Sequence, residues 1–183
     1  MIALLQRVTQ ASVVVVESQT IADRNEARAA GQGRPVCGFA DRNEARAAGQ
    51  GRPVCGFASI GPGLLVLLGV QPKDGEAQAQ RMVERIFGYR MFEDAAGKMN
   101  RSLLESQGEL LLVPQFTLAA DTRQGMRPGF STAALPAQAR IEFERVVALS
   151  QQQNLKVESG RFGADMQVSL VNNGPVTFWL EVH

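Results

Sequence analysis

Thr117 is the hydroxyl in this chain best placed to do chemistry. It lies in Pro114-Gln115-Phe116-Thr117-Leu118, after the apolar run Leu110–Val113 and before a polar, glycine-bearing stretch from Ala119 to Ser131. That position lets it face a cleft. Threonine is a weak nucleophile without an activating base, and Gln115–Leu118 holds none. The backbone N–H groups around Phe116 and Thr117 offer more, because oriented donors can polarise a carbonyl and hold an oxyanion. On residue type alone, Thr117 also reads as a β-favouring residue that ends a strand.

Several other chemistries are excluded. The single histidine, His183, is the last residue, so neither a Ser–His–Asp nor a Cys–His arrangement can be assembled around it. No cluster of His, Cys or carboxylates has metal-ligand spacing, and no nucleophile elbow, phosphate loop or dinucleotide fingerprint occurs. No cofactor is expected. A second break in the apolar pattern is Asn172-Asn173-Gly174-Pro175, set between Met166–Val171 and Val176–Val182. Asn-Gly and Gly-Pro are strong turn formers, so residue types favour a plain turn between two strands. Arg7 reads as an exposed charge on a strand.

The block 22–57 is unusual. Residues 22–39 read ADRNEARAAGQGRPVCGF, and residues 40–57 repeat that string unchanged. Solenoid units are longer, more numerous and divergent, so two identical copies read as a tandem duplication inserted in a surface connection of a single domain spanning 1–183. Within each copy, Asp23–Ala30 or its equivalent reads either as a short capped helix or as a solvated insert. Cys37 and Cys55 are one position counted twice, which argues for free thiols in a reducing compartment. Each copy carries three arginines against one aspartate and one glutamate, so the formal charge of +1 becomes −1 without them. A duplex-binding protein needs a basic face, which the remainder lacks. Any RNA partner is therefore gripped through a short piece. The 45% hydrophobic and 20% charged residues are ordinary for a globular protein. Neither a membrane span nor a signal peptide is recognisable, so the expected location is cytoplasmic.

The elements that must position these residues follow from periodicity. Leu4–Glu17, rich in β-branched residues, predicts one or two strands. Ile60–Gly63 predicts a turn, and Leu64–Val70 and Leu110–Phe116 predict buried strands. Glu76–Tyr89 predicts a helix with an apolar stripe of Ala77, Met82, Val83, Ile86 and Phe87. Arg90–Phe92 predicts a short strand, and Asp94–Gly97 a turn. Pro136 opens a helix that continues over Ala137–Gln151, and Val157–Arg161 is a further strand. Strands, helix, strands, helix, strands is an α+β order.

Read together, Pro114–Leu118 and Asn172–Trp179 resemble the two signature segments of the D-aminoacyl-tRNA deacylases. The resemblance begins at Met1–Val8, includes Gly163–Val171 and covers almost the whole chain outside 22–57. It implies a compact, strand-rich α+β domain, with a barrel-like sheet and two main helices. The implied activity is hydrolysis of the ester of D-aminoacyl-tRNA, by a site that rejects L-amino acids and so also admits glycine misattached to alanine tRNA. Gln115, Phe116 and Thr117 match the catalytic segment, where catalysis is attributed largely to the vicinal hydroxyl of the terminal ribose. Gly174 and Pro175 match a cis dipeptide whose carbonyls point into the partner subunit's site. Arg7 matches the arginine that braces it. The implied partners are the 3′ aminoacyl end of tRNA and a second copy of the chain, with no DNA and no membrane. Pro114 departs from the family's usual serine and has neither hydroxyl nor N–H. That departure, with the missing base, is what an alternative reading rests on: a non-catalytic module binding RNA ends or protein.

Overall fold

The computed structural model of the protein describes residues 1–16, 54–123 and 125–183. Its organising element is β1 (Ile2–Val16), one long strand. Along one edge of β1 lie β2 (Val54–Ile60) and β3 (Gly63–Gly69), end to end and both antiparallel to it. Ile60–Gly63, expected to turn, therefore only bends, and the chain resumes the same register with Val8 opposite Gly63. Glycine is required there: a Cβ on Gly63 would sit 1.9 Å from the carbonyl oxygen of Glu109.

After β3 come helix α1 (Glu76–Gly88), the hairpin strands β4 (Phe92–Glu93) and β5 (Met99–Arg101), and the four-residue helix α2 (Leu103–Ser106). Strand β6 (Glu109–Pro114), a 3-10 turn over Phe116–Ala119, helix α3 (Pro136–Gln151), β7 (Val157–Ser159) and β8 (Asp165–Glu181) complete the chain. Strand β6 runs parallel to both β3 and β7, while β8 lies antiparallel to β1 on its other edge. The segments expected as two strands, Met166–Val171 and Val176–Val182, are thus one strand. The break between them is absorbed as register shifts opposite Arg7 and Thr9.

Apolar alternation makes this sheet bury both faces. Leu5, Leu64, Val66, Leu68, Leu110 and Leu112 pack beneath α1 and α3. Helix α1 presents Ala79, Met82, Val83, Ile86 and Phe87 to them; Ala79 takes the place expected of Ala77, which falls off the i, i+3, i+4, i+7 stripe. On the opposite face Leu65, Leu111 and Val113 meet Met166, Val168 and Leu170 of β8. Strand β8 is not hydrogen-bonded to β6, so the six-stranded sheet must curl to bring them together, giving a nearly closed, barrel-like α+β domain.

The duplicated block lies mostly outside the described residues. The last residues of its second copy, Val54–Phe57, are part of β2 and pair with Val14–Val16. Sequence periodicity missed β5 and α2. The latter is marked by Ser102 and Glu105, whose side chains and backbone N–H groups satisfy each other as a capping box. Among the described residues, no helix is long and apolar enough to cross a membrane.

Candidate active site

Strand β6 delivers the Gln115–Leu118 segment to the end of the sheet. Gln115 donates its backbone N–H to the carbonyl of Leu68 at 2.8 Å, continuing the parallel pairing one residue past Pro114. Pro114 is the last residue of β6, a strand-end position that tolerates a missing donor. The chain then tightens into the 3-10 turn. This turn can approach β3 because Gly69 leaves room: a Cβ there would lie 3.1 Å from both Gln115 O and Leu118 Cβ. The first bond of the turn runs from Leu118 N–H to Gln115 O, 3.3 Å. The N–H groups of Phe116 and Thr117 come before it and have no acceptor within the turn.

Beside this turn lies a cavity of 660 Å³, walled by Pro114, Phe116, Phe162 and Met166 with Gln6, Gln115 and Asp165 as polar residues. Ala134 and Gly163 complete the lining relevant to access. Such a cavity suits a largely apolar ligand with a few polar groups. Thr117 does not line it. Its side is a second cavity of 530 Å³, with Asp121, Arg123, Thr132 and the half-exposed Trp179. The turn therefore divides the expected catalytic trio: Gln115 and Phe116 face one space and Thr117 another.

Gly174, Pro175 and Arg7 form a separate assembly. The Gly174–Pro175 bond is cis. Arg7 is 5% exposed, not the surface charge its position in a strand suggests. Its Nε donates to the carbonyl of Asn173 at 3.0 Å, Nη1 to that of Met91 at 3.0 Å, and Nη2 to Glu93 Oε1 at 3.2 Å. The fixed fork of a guanidinium allows one side chain to hold three acceptors on two elements. Gly174 has φ +134°, and a Cβ would lie 2.7 Å from Val176 Cγ2 and 2.8 Å from its N, so no other residue fits without displacement. Residues Asn172–Pro175 are all exposed, and neither Gly174 nor Pro175 lines either cavity.

Sequence reasoning had missed Gln6, Phe162, Met166 and Trp179. Gln6 follows from its place beside Arg7 on β1. The others carry no local signal, since only the curl of the sheet brings them to β6.

The fold and site define a small α+β protein with a mainly apolar cavity at a strand-to-turn junction and an exposed, glycine-dependent segment braced from β1. Residues 44–181 match the family model for D-Tyr-tRNA(Tyr) deacylase, and the chain belongs to that family. It is 46% identical over 182 residues to the D-aminoacyl-tRNA deacylase of Klebsiella pneumoniae subsp. pneumoniae, with all of both chains covered. It is 63% identical over 122 residues to that of Stenotrophomonas maltophilia, covering 66% of this chain and 84% of that protein. A solved structure of the c-Myc DNA Unwinding Element Binding Protein superposes with a TM-score of 0.75 at 31% identity, covering 100% of this chain and 99% of that one. A probable eukaryotic D-amino acid tRNA deacylase shares the fold, with a TM-score of 0.64 at 15% identity over 99% and 98% of the two chains.

Proposed function

We propose that this protein is a homodimeric deacylase that hydrolyses the ester of D-aminoacyl-tRNA, each active site combining one copy's cavity with the other's Gly174–Pro175. The observation that carries this reading is the separation of the two halves within one chain. The cavity, with Gln6, Gln115 and Asp165 as its polar residues, does not include Gly174 or Pro175 of the same chain. The braced segment that does project, Asn172–Pro175, has no cavity of its own.

The edge of β8 supports pairing with a second copy. Among the described strands it bonds only to β1, and no charged side chain occurs between Asp165 and Glu181. Natural edge strands are guarded by charge or covered, and this one carries exposed Val171 and Trp179. A two-fold contact covers the same patch on both copies.

In the assembled site the terminal nucleoside occupies the cavity between Phe162, Met166 and Phe116. The ester carbonyl accepts from the N–H groups of Phe116 and Thr117, which stabilise the oxyanion as water adds to the carbonyl carbon. The vicinal ribose hydroxyl orients that water and relays its proton to the departing 3′ oxygen, releasing free amino acid and tRNA. The carbonyls of Gly174 and Pro175 hold the substrate's amino group and leave no room for an L side chain. The enzyme works where aminoacyl-tRNA is found, in the cytoplasm.

Single-turnover hydrolysis of D-Tyr-tRNA, L-Tyr-tRNA and Gly-tRNA tests both activity and selectivity. Cleavage of the D and glycyl esters with an inert L ester is expected, because rejection by a wall cannot exclude an amino acid without a side chain. Glycine as inert as the L substrate contradicts the rejection model, and no hydrolysis of the D ester contradicts the function. A D-aminoacyl-tRNA ending in 2′-deoxyadenosine should react far more slowly than the natural ester.

A further inference from the structure

We infer that Arg127 and the Phe116–Phe130 aromatic pair form a binding surface for the single-stranded RNA that precedes the terminal nucleotide. The inference rests on the proposed tRNA substrate and extends it beyond the cavity.

The ends of the segment that carries this surface are tied to one another and to the 3-10 turn. Asp121 and Gly129 exchange backbone bonds, N–H to O, at 2.7 and 2.9 Å. Thr132 Oγ1 donates to the carbonyl of Ala119, tying the far end of the loop to the 3-10 turn. Its two arginines have different fates. Arg123 is committed: its Nε and Nη2 donate to Asp121 Oδ1 and Oδ2 at 2.9 and 2.7 Å. Arg127 is exposed and makes no hydrogen bond or ion pair among the described residues. The loop thus presents one guanidinium without a partner among the described residues, on a chain whose charge outside the duplication is −1.

Phe130, three residues after Arg127 in the same loop, adds aromatic surface. Phe116 and Phe130 are 55% and 42% exposed, with ring centroids 5.1 Å apart at 49°. Phe116 also lines the cavity, so this platform begins where the terminal nucleoside ends. The neighbouring Met126 is 101% exposed. A guanidinium for a phosphate and aromatic faces for bases are the two elements of single-strand RNA recognition. One phosphate contact fits a protein without a basic face.

Two variants and two substrates test it: Arg127→Ala and Phe130→Leu, with D-Tyr-tRNA and the D-tyrosyl ester of adenosine, which has no phosphate. Arg127→Ala should lower kcat/KM for the tRNA about tenfold at low salt. It should also reduce the slope of log kcat/KM against log salt by about 0.7, the value of one single-strand phosphate contact. The adenosine ester should be cleaved at the wild-type rate. Phe130→Leu should lower kcat/KM for the tRNA roughly fivefold or more with no change of slope, because stacking releases no counterions. An unchanged salt slope in Arg127→Ala overturns the phosphate contact, as does an equal loss on both substrates. If the wild-type protein hydrolyses neither ester, the deacylase reading falls and this inference with it.

Discussion

The cavity beside the 3-10 turn and the Asn172–Pro175 segment are built by opposite means. The cavity is concave and walled mainly by core-type side chains that the curled sheet supplies, with Gln115 and Phe116 at its rim. The segment is convex and exposed, and a buried arginine holds it from behind. The cavity tolerates change, because its shape is spread over β3, β6, β8 and α3. The segment depends on two residues, Arg7 and Gly174. In the proposed reading, binding and stereochemical discrimination are encoded separately, in two parts that one chain alone does not unite.

The largest effect should come from the segment. Gly174→Ala places a Cβ against Val176, at a φ that costs about 1–3 kcal/mol for other residues. Deacylation should fall by at least a hundredfold in a single-turnover assay, while nucleoside binding in the cavity persists by calorimetry. Arg7→Lys should come next. It retains charge but cannot serve Asn173 O, Met91 O and Glu93 together, so about 3 kcal/mol of stability should be lost, seen as a lower Tm with reduced activity. In the 3-10 turn, Thr117→Ala should stay within about tenfold of wild type, because in the proposed mechanism the backbone N–H acts there and not the hydroxyl. Loss of activity with an intact fold would make Thr117 a nucleophile and erase the contrast.

Smaller effects concern the periphery. Excising one copy of the duplication, residues 22–39, leaves the sequence of β2 unchanged. Halving the connection should change stability by only about 0.6 kcal/mol, measured by denaturant unfolding. A large loss would show that the first copy packs on the domain. Removing both copies, 22–57, also deletes Val54–Phe57 from β2 and is the more demanding variant. The smallest effect is that of pH on Asp121. Its carboxyl lies at about 2, below the usual 3.8, chiefly through the side-chain bond from Arg123 and next through Arg123 N–H. Because the folded value is depressed, this contribution is complete above the unfolded value and lost only as pH falls through about 2. NMR titration of the Asp121 carboxylate should show no change between neutral pH and about 4.

Much of this was legible in the sequence. Long apolar or β-branched runs gave β1, β3 and β6, and Pro136 marked the start of α3. The signature residues mark the two segments from which the proposed site is built. What local pattern could not show is long-range. Gly174–Pro175 reads as a turn because Asn-Gly and Gly-Pro turn in isolation, yet pairing with β1 on both sides keeps the chain extended. Arg7 reads as exposed because its acceptors, Met91 and Asn173, are remote in sequence. Ile60–Gly63 reads as a reversal because β1 is long enough to pair with both flanking strands only in three dimensions. The division of Gln115 and Phe116 from Thr117 depends on a single 3-10 turn that is seated against Gly69, a contact remote in sequence.

Complementation between two inactive variants tests the central claim most directly. Ala134→Trp fills the cavity and leaves the segment intact, whereas Gly174→Ala does the reverse. Co-expressed with different affinity tags, the two should yield a heterodimer in which one site has both defects and the other has none. The account predicts D-Tyr-tRNA deacylation at about half the wild-type rate per dimer from two inactive parents, since a two-fold interface exchanges the same parts in both directions. A heterodimer no more active than its parents, or a wild-type enzyme fully active as a monomer, would contradict a site shared between two chains.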